Sequence, residues 1–103
     1  MLDSERLVVR TQLAAHLVVF TCEGYAGDDI ALDIIEHIAL RMKTREDKIV
    51  HEVGTAVRTT LIKYVVGELS FSETLDHFTD LAMAAPVGAA ELIETLHLHE
   101  RPR

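Results

Sequence analysis

The sequence predicts an all-α protein, one helical domain over residues 1–103 built as a bundle of four to five helices. Apolar residues recur at spacings of three and four through most of the chain, the period of helices buried on one face. Both prolines, Pro86 and Pro102, lie late, which leaves room before them for long uninterrupted helices. Apolar residues make up 49% and charged residues 26% of the composition, a balance that supports a packed core and argues against wholesale disorder.

Segment one runs from Ser4 to Cys22. Ala14, Ala15 and Leu17 favour helix, whereas the runs LVV and LVVF favour strand, so a partly extended form is the alternative to a helix. Drawn as a helix, its polar members Arg10, Thr11, Gln12 and His16 scatter around the wheel and leave no polar face. Such a helix belongs in the centre of a bundle or at a subunit interface. The stretch EGYAGDD then breaks the pattern, and Asp28 or Asp29 suits the N-cap of the next helix. Helix two is expected from Asp29 to about Lys43, with Ile30, Ala31, Ile34, Ile35, Ile38 and Met42 as its stripe. Arg41 and Lys43 at its end and Asp29 at its start agree with the helix dipole.

Helix three is expected from Arg45 or Glu46 to Val66, burying Ile49, Val50, Val53, Val57, Leu61, Tyr64 and Val65. Gly67 ends it in the usual C-terminal role of glycine. Ser70 and Glu73 have the spacing of a capping box, which starts helix four at Phe71 and carries it to about Ala84. Its buried side is Phe71, Leu75, Phe78, Leu81 and Ala82. Pro86 fits the first turn of helix five, whose face is Leu92, Ile93 and Leu96. The tail from about residue 98 frays.

Charge and cysteine content narrow the function. Seventeen acidic against 10 basic residues give a formal charge of −7, which is the wrong sign for a general nucleic-acid binder. It suits a basic partner surface, through steering more than affinity. Cys22 is the only cysteine, so no intramolecular disulfide forms, and its apolar surroundings predict a small buried core residue. Two acids precede any apolar run in MLDSER, unlike a signal peptide, and the apolar stretch Leu13 to Cys22 is too short to span a bilayer. A soluble, cytoplasmic protein without membrane contact is expected.

One stretch raises the question of chemistry. Glu36-His37 and His51-Glu52 mirror each other about Thr44, so a turn there sets two histidines and two carboxylates at one height. Each lies about 120–140° from the centre of its helix's apolar stripe, so the four point mostly outward and do not converge. In the tail, His97 and His99 diverge if helical. Glu73 and His77 have the i,i+4 spacing of a helical ion pair. No catalytic, cofactor or metal residue is assigned.

Asp33-x-x-Glu36 and Glu73-x-x-Asp76 each set two carboxylates about one turn apart. This pattern resembles the acidic pairs of helical nucleotide pyrophosphohydrolases of the MazG type, and the resemblance implies magnesium held between helices. It covers four residues. The first pair begins with Asp where that family's motif has Glu, and the gap between the pairs is longer than the motif allows. The alternative reading is thus a metal-dependent enzyme using helix-borne carboxylates and histidines. A second alternative is nucleic-acid contact through the turn from Arg41 to Arg45.

What stands out is apolar surface beyond the main stripes: Leu40 on helix two, Ile62 and Val66 on helix three, and Leu13, Leu17 and Phe20 in segment one. These six are the interface candidates. The sequence therefore reads as a small acidic protein-binding module, an adaptor, inhibitor or regulatory factor. Its expected partners are a second copy of itself, as a homodimer, and an unidentified protein.

Overall fold

The computed structural model describes residues 2–24, 28–42, 47–84 and 86–96, with side chains for 4–24, 29–42, 47–84 and 91–96. These residues form five helices: α1 (Leu2–Cys22), α2 (Asp28–Met42), α3 (Asp47–Val65), α4 (Phe71–Met83) and α5 (Pro86–Thr95). The all-α expectation holds, and segment one is helical throughout, so its partly extended alternative is set aside. The predicted N-cap Asp28 and the basic residues Lys43 and Arg45 have side chains outside the described set, as do His97 and His99.

The amphipathic stripes place the helices. All six stripe residues of α2 are buried, and so are Val53, Val57 and Leu61 of α3 and Leu75, Phe78, Leu81 and Ala82 of α4. Ile93 of α5 joins the same core, with Leu92 and Leu96 packed against it. Val65 departs from expectation and is exposed. It lies about 120° around the helix from Val53, off the stripe that the core selects. Thr60, Thr74 and Thr79 are fully buried yet polar, and each donates its hydroxyl to the carbonyl four residues earlier, of Ala56, Ser70 and Leu75. That satisfies the group inside its own helix.

α4 holds the centre and packs against each of the other four helices. Of the two places its lack of a polar face suits, the centre of the bundle or a subunit interface, α1 does not take the first: it packs against α4 and α2 with its other side exposed. Its register is set by charge. Arg6 pairs with Asp80 at 2.7 Å, Arg10 pairs with Asp76, and Arg10 also donates to the Ser72 hydroxyl at 3.0 Å. Rising numbers on α1 meet falling numbers on α4, so the two run antiparallel. Exposed ion pairs of this kind contribute only about 0–1 kcal/mol, so they fix alignment more than they stabilise. Thr21 and Tyr64 share a hydroxyl hydrogen bond of 2.8 Å that brings the ends of α1 and α3 together.

Local chemistry explains the boundaries. Gly67 adopts φ 85°, and the N–H groups of Gly67 and Glu68 reach back to the carbonyls of Tyr64 and Lys63. This Schellman closure needs a left-handed residue that glycine adopts without penalty. The capping box forms as the spacing predicts: the Ser70 hydroxyl accepts from the Glu73 N–H, and the Glu73 carboxylate accepts from the Ser70 N–H. Ser70→Ala is expected to cost about 1 kcal/mol, roughly 4–8 °C in thermal midpoint, because it strips an acceptor from the first turn of the central helix. An unchanged midpoint in calorimetry would count against that assignment.

Candidate functional site

α1 is apolar on two opposite sides. The inward side is Val9, Leu13, Leu17 and Phe20, all buried. The outward side carries Leu7, Val8, Val18 and Val19, which are 64%, 51%, 47% and 46% exposed, with Thr11, Ala15 and Cys22 between and beyond them. The spacing of three and four repeats on both sides. The core of α4 and α2 takes the first stripe and leaves the second in solvent.

This corrects three interface candidates. Leu13, Leu17 and Phe20 lie in the intrachain core, where no surface remains for a partner. Leu40, Ile62 and Val66 are on the surface at 69%, 60% and 64% exposure. Cys22 was expected to be buried and is exposed. It sits about 175° around from the middle of the buried stripe, so α1 turns it outward.

The histidines fall elsewhere than the mirror suggests. His37 meets His16 of α1 edge to face, with ring centroids 5.8 Å apart. One turn along, Arg41 donates to the Gln12 side chain at 2.8 Å, so α1 and α2 also run antiparallel. Glu36 and His51 are exposed and Glu52 is half-buried. Of the acidic pairs, Asp33 and Glu36 are exposed, Glu73 caps α4 and Asp76 is paired with Arg10. Among the described residues, no three His, Cys, Asp or Glu side chains gather as a metal ion requires. Of the turn from Arg41 to Arg45, Arg41 is engaged with Gln12.

Burial, then the neighbouring His16 and Arg41, hold the His37 imidazole below its ordinary value of 6.5. His77 is also held low, chiefly by burial, although the Asp80 carboxylate opposes this. Among the described residues, His37 Nε2 and His77 Nδ1 are buried without a hydrogen-bond partner, which disfavours the doubly protonated ring. Since both folded values lie below 6.5, the unfolded chain takes up protons first as the pH falls through 6.5. Stability is therefore full above that value and declines below it until the folded values are passed. The urea midpoint is expected to be lower at about pH 5.5 than at about pH 7.5, straddling the ordinary histidine value. His37→Gln combined with His77→Gln should flatten the difference. Equal midpoints in the wild type would contradict the burial of these rings.

Sequence reasoning missed the α1–α4 clamp, although its signal is present. Arg6 and Arg10 are four apart, and Ser72, Asp76 and Asp80 repeat every four on the other helix. Complementary ladders of equal spacing mark two helices that can pair along their length, and the pairs Arg6–Asp80 and Arg10–Asp76 fix the direction as antiparallel.

No protein-family model matches the chain, and neither a curated protein nor a solved structure resembles it closely enough to be matched. Among the described residues, no helix is long and apolar enough to cross a membrane.

Proposed function

We propose that the protein is a small acidic binding module that works as a homodimer and regulates another protein by docking. One observation carries the reading: α1 turns a second apolar side outward, including Leu7, Val8, Val18 and Val19. Leu40, Ile62, Val65 and Val66 add apolar surface on α2 and α3. Contiguous apolar patches beyond a few hundred Å² are rare on monomers and mark interaction sites. A symmetric pair of copies is the commonest way to cover such a surface. The formal charge of −7 favours a basic surface on the further partner, through attraction at a distance.

Dimerisation stabilises a fold by mass action, so the thermal midpoint should rise with protein concentration. Leu40→Glu and Ile62→Glu serve as paired probes. If their faces contribute, each variant loses part of the concentration dependence while keeping its helical signal. A wild-type midpoint independent of concentration, from dilute to high micromolar protein, would overturn the homodimer.

A further inference from the structure

We propose that the seam between α1 and α2 is an acid-sensitive latch. His16 and His37 close it as neutral rings, and below about pH 6 their charging loosens α1 from α2 while α1 stays paired with α4. The inference is independent of the partner proposed above.

α1 is held to α4 and to α2 by opposite chemistry. Arg10 lies about 60° to one side of the middle of the buried stripe, where it meets Asp76 of α4. His16 lies about 60° to the other side, where it meets His37 of α2. On the α4 side the polar contacts include two ion pairs, Arg6–Asp80 and Arg10–Asp76. On the α2 side they are the edge-to-face imidazoles, with centroids 5.8 Å apart, and the hydrogen bond from Arg41 to Gln12. Among the described residues no ion pair joins α1 to α2.

The groups that meet across this seam are basic or neutral: His16 and Gln12 from α1, His37 and Arg41 from α2. Asp33 and Glu36, one turn and one residue before His37, are exposed carboxylates of α2 itself and are screened by water. α4 turns its own charges elsewhere, Asp76 and Asp80 to the arginines of α1 and Glu73 to its own helix start, while His77 has Lys63 of α3 as its cationic neighbour. α3 meets α2 at Gly54 and Ile35, on the side about 160° around the helix from His37.

Protonation therefore turns a ring contact into repulsion. Two imidazolium ions at this separation, with the Arg41 guanidinium one turn along, have no carboxylate between them. His37 Nε2 is buried without an acceptor among the described residues, so a proton on it finds nothing to bond. Burial, then His16 and Arg41, hold the His37 imidazole below its ordinary 6.5. The open seam thus takes up the proton first, so closure is favoured above pH 6.5 and weakens as the pH falls below it. Arginine and aspartate keep their charges over that interval, which leaves the α4 side of α1 in place. Val9 and Phe20, buried on the His16 side of the stripe, are the apolar residues first uncovered.

Hydrogen exchange of the intact chain at about pH 7.5 and about pH 5.5, corrected for the intrinsic effect of pH, tests the latch. Protection of the α1 amides around His16 and the α2 amides around His37 should fall about tenfold at the lower pH, while the α4 amides from Thr74 to Ala82 keep theirs. His16→Gln combined with His37→Gln should remove the response, and His77→Gln should leave it intact. Gln12→Glu, at an exposed position facing Arg41, supplies the missing carboxylate and should cut the response at least threefold. No acid response in the wild type, a fall of equal size in every helix, or a response that survives loss of both rings would overturn the proposal. If the double variant does not fold, Gln12→Glu decides, and a full response there would overturn it.

Discussion

Val53→Asp is expected to unfold the protein. Val53 has no exposed surface and sits where α3 joins the core shared by all five helices. An aspartate there loses its hydration and gains no partner, at a cost of several kcal/mol, comparable with the about 5–15 kcal/mol that holds a whole domain together. Its neighbour supplies the control. Glu52 is half-buried on the flank of the same helix, and Glu52→Ala should change stability by about 0.5 kcal/mol or less. Circular dichroism with urea titration separates the two outcomes. A folded Val53→Asp, or equal losses from both variants, would show that α3 is rotated from the facing described here.

Phe78→Ala should give the second-largest loss, about 3–5 kcal/mol. Among the described residues Phe78 is the largest fully buried side chain, and it lies on α4, the helix that packs against the other four. Removing its ring leaves a cavity where several helices meet, so no single neighbour can relax into the space. Phe71 provides the contrast. It is half-buried at the start of α4 and contacts Tyr64 edge to face with centroids 6.3 Å apart. Phe71→Ala should cost distinctly less, since solvent already reaches the ring and the helix end can adjust. Equal losses at the two positions in urea unfolding would contradict the central placement of α4.

These contrasts show where the fold was legible. α2, α3 and α4 each have one apolar stripe and one polar side, so the period alone decides which residues go inside. Ser70, Glu73 and Gly67 act within a turn of themselves, and local chemistry set the ends of α3 and α4 to within a residue or so. α1 could not be read this way. Both of its sides are apolar, and the choice between the Leu13–Leu17 side and the Val8–Val18 side is made by the surface of α4, through Arg6 and Arg10 meeting Asp80 and Asp76. That choice turns Leu13, Leu17 and Phe20 inward and leaves Leu7, Val8, Val18 and Val19 on the surface.

The histidines follow the same logic. The mirror of Glu36-His37 and His51-Glu52 is a pattern within two consecutive helices. His37 turns to His16, which is 21 residues earlier and reachable only once α1 and α2 are set antiparallel. Leu40, Ile62 and Val66 were legible as surface because each lies off a stripe that is unambiguous. The candidate site was thus readable where a helix has one apolar side and hidden where it has two.

The central claim is that the outward apolar surface is a binding face first occupied by a second copy of the chain. Sedimentation equilibrium of the untagged protein over a wide concentration range tests it most directly, since it reads mass without assuming a shape. The account predicts a mass that rises from one chain of 11.5 kDa at high dilution to twice that value at micromolar concentration. A mass fixed at that of one chain up to high micromolar concentration would contradict it.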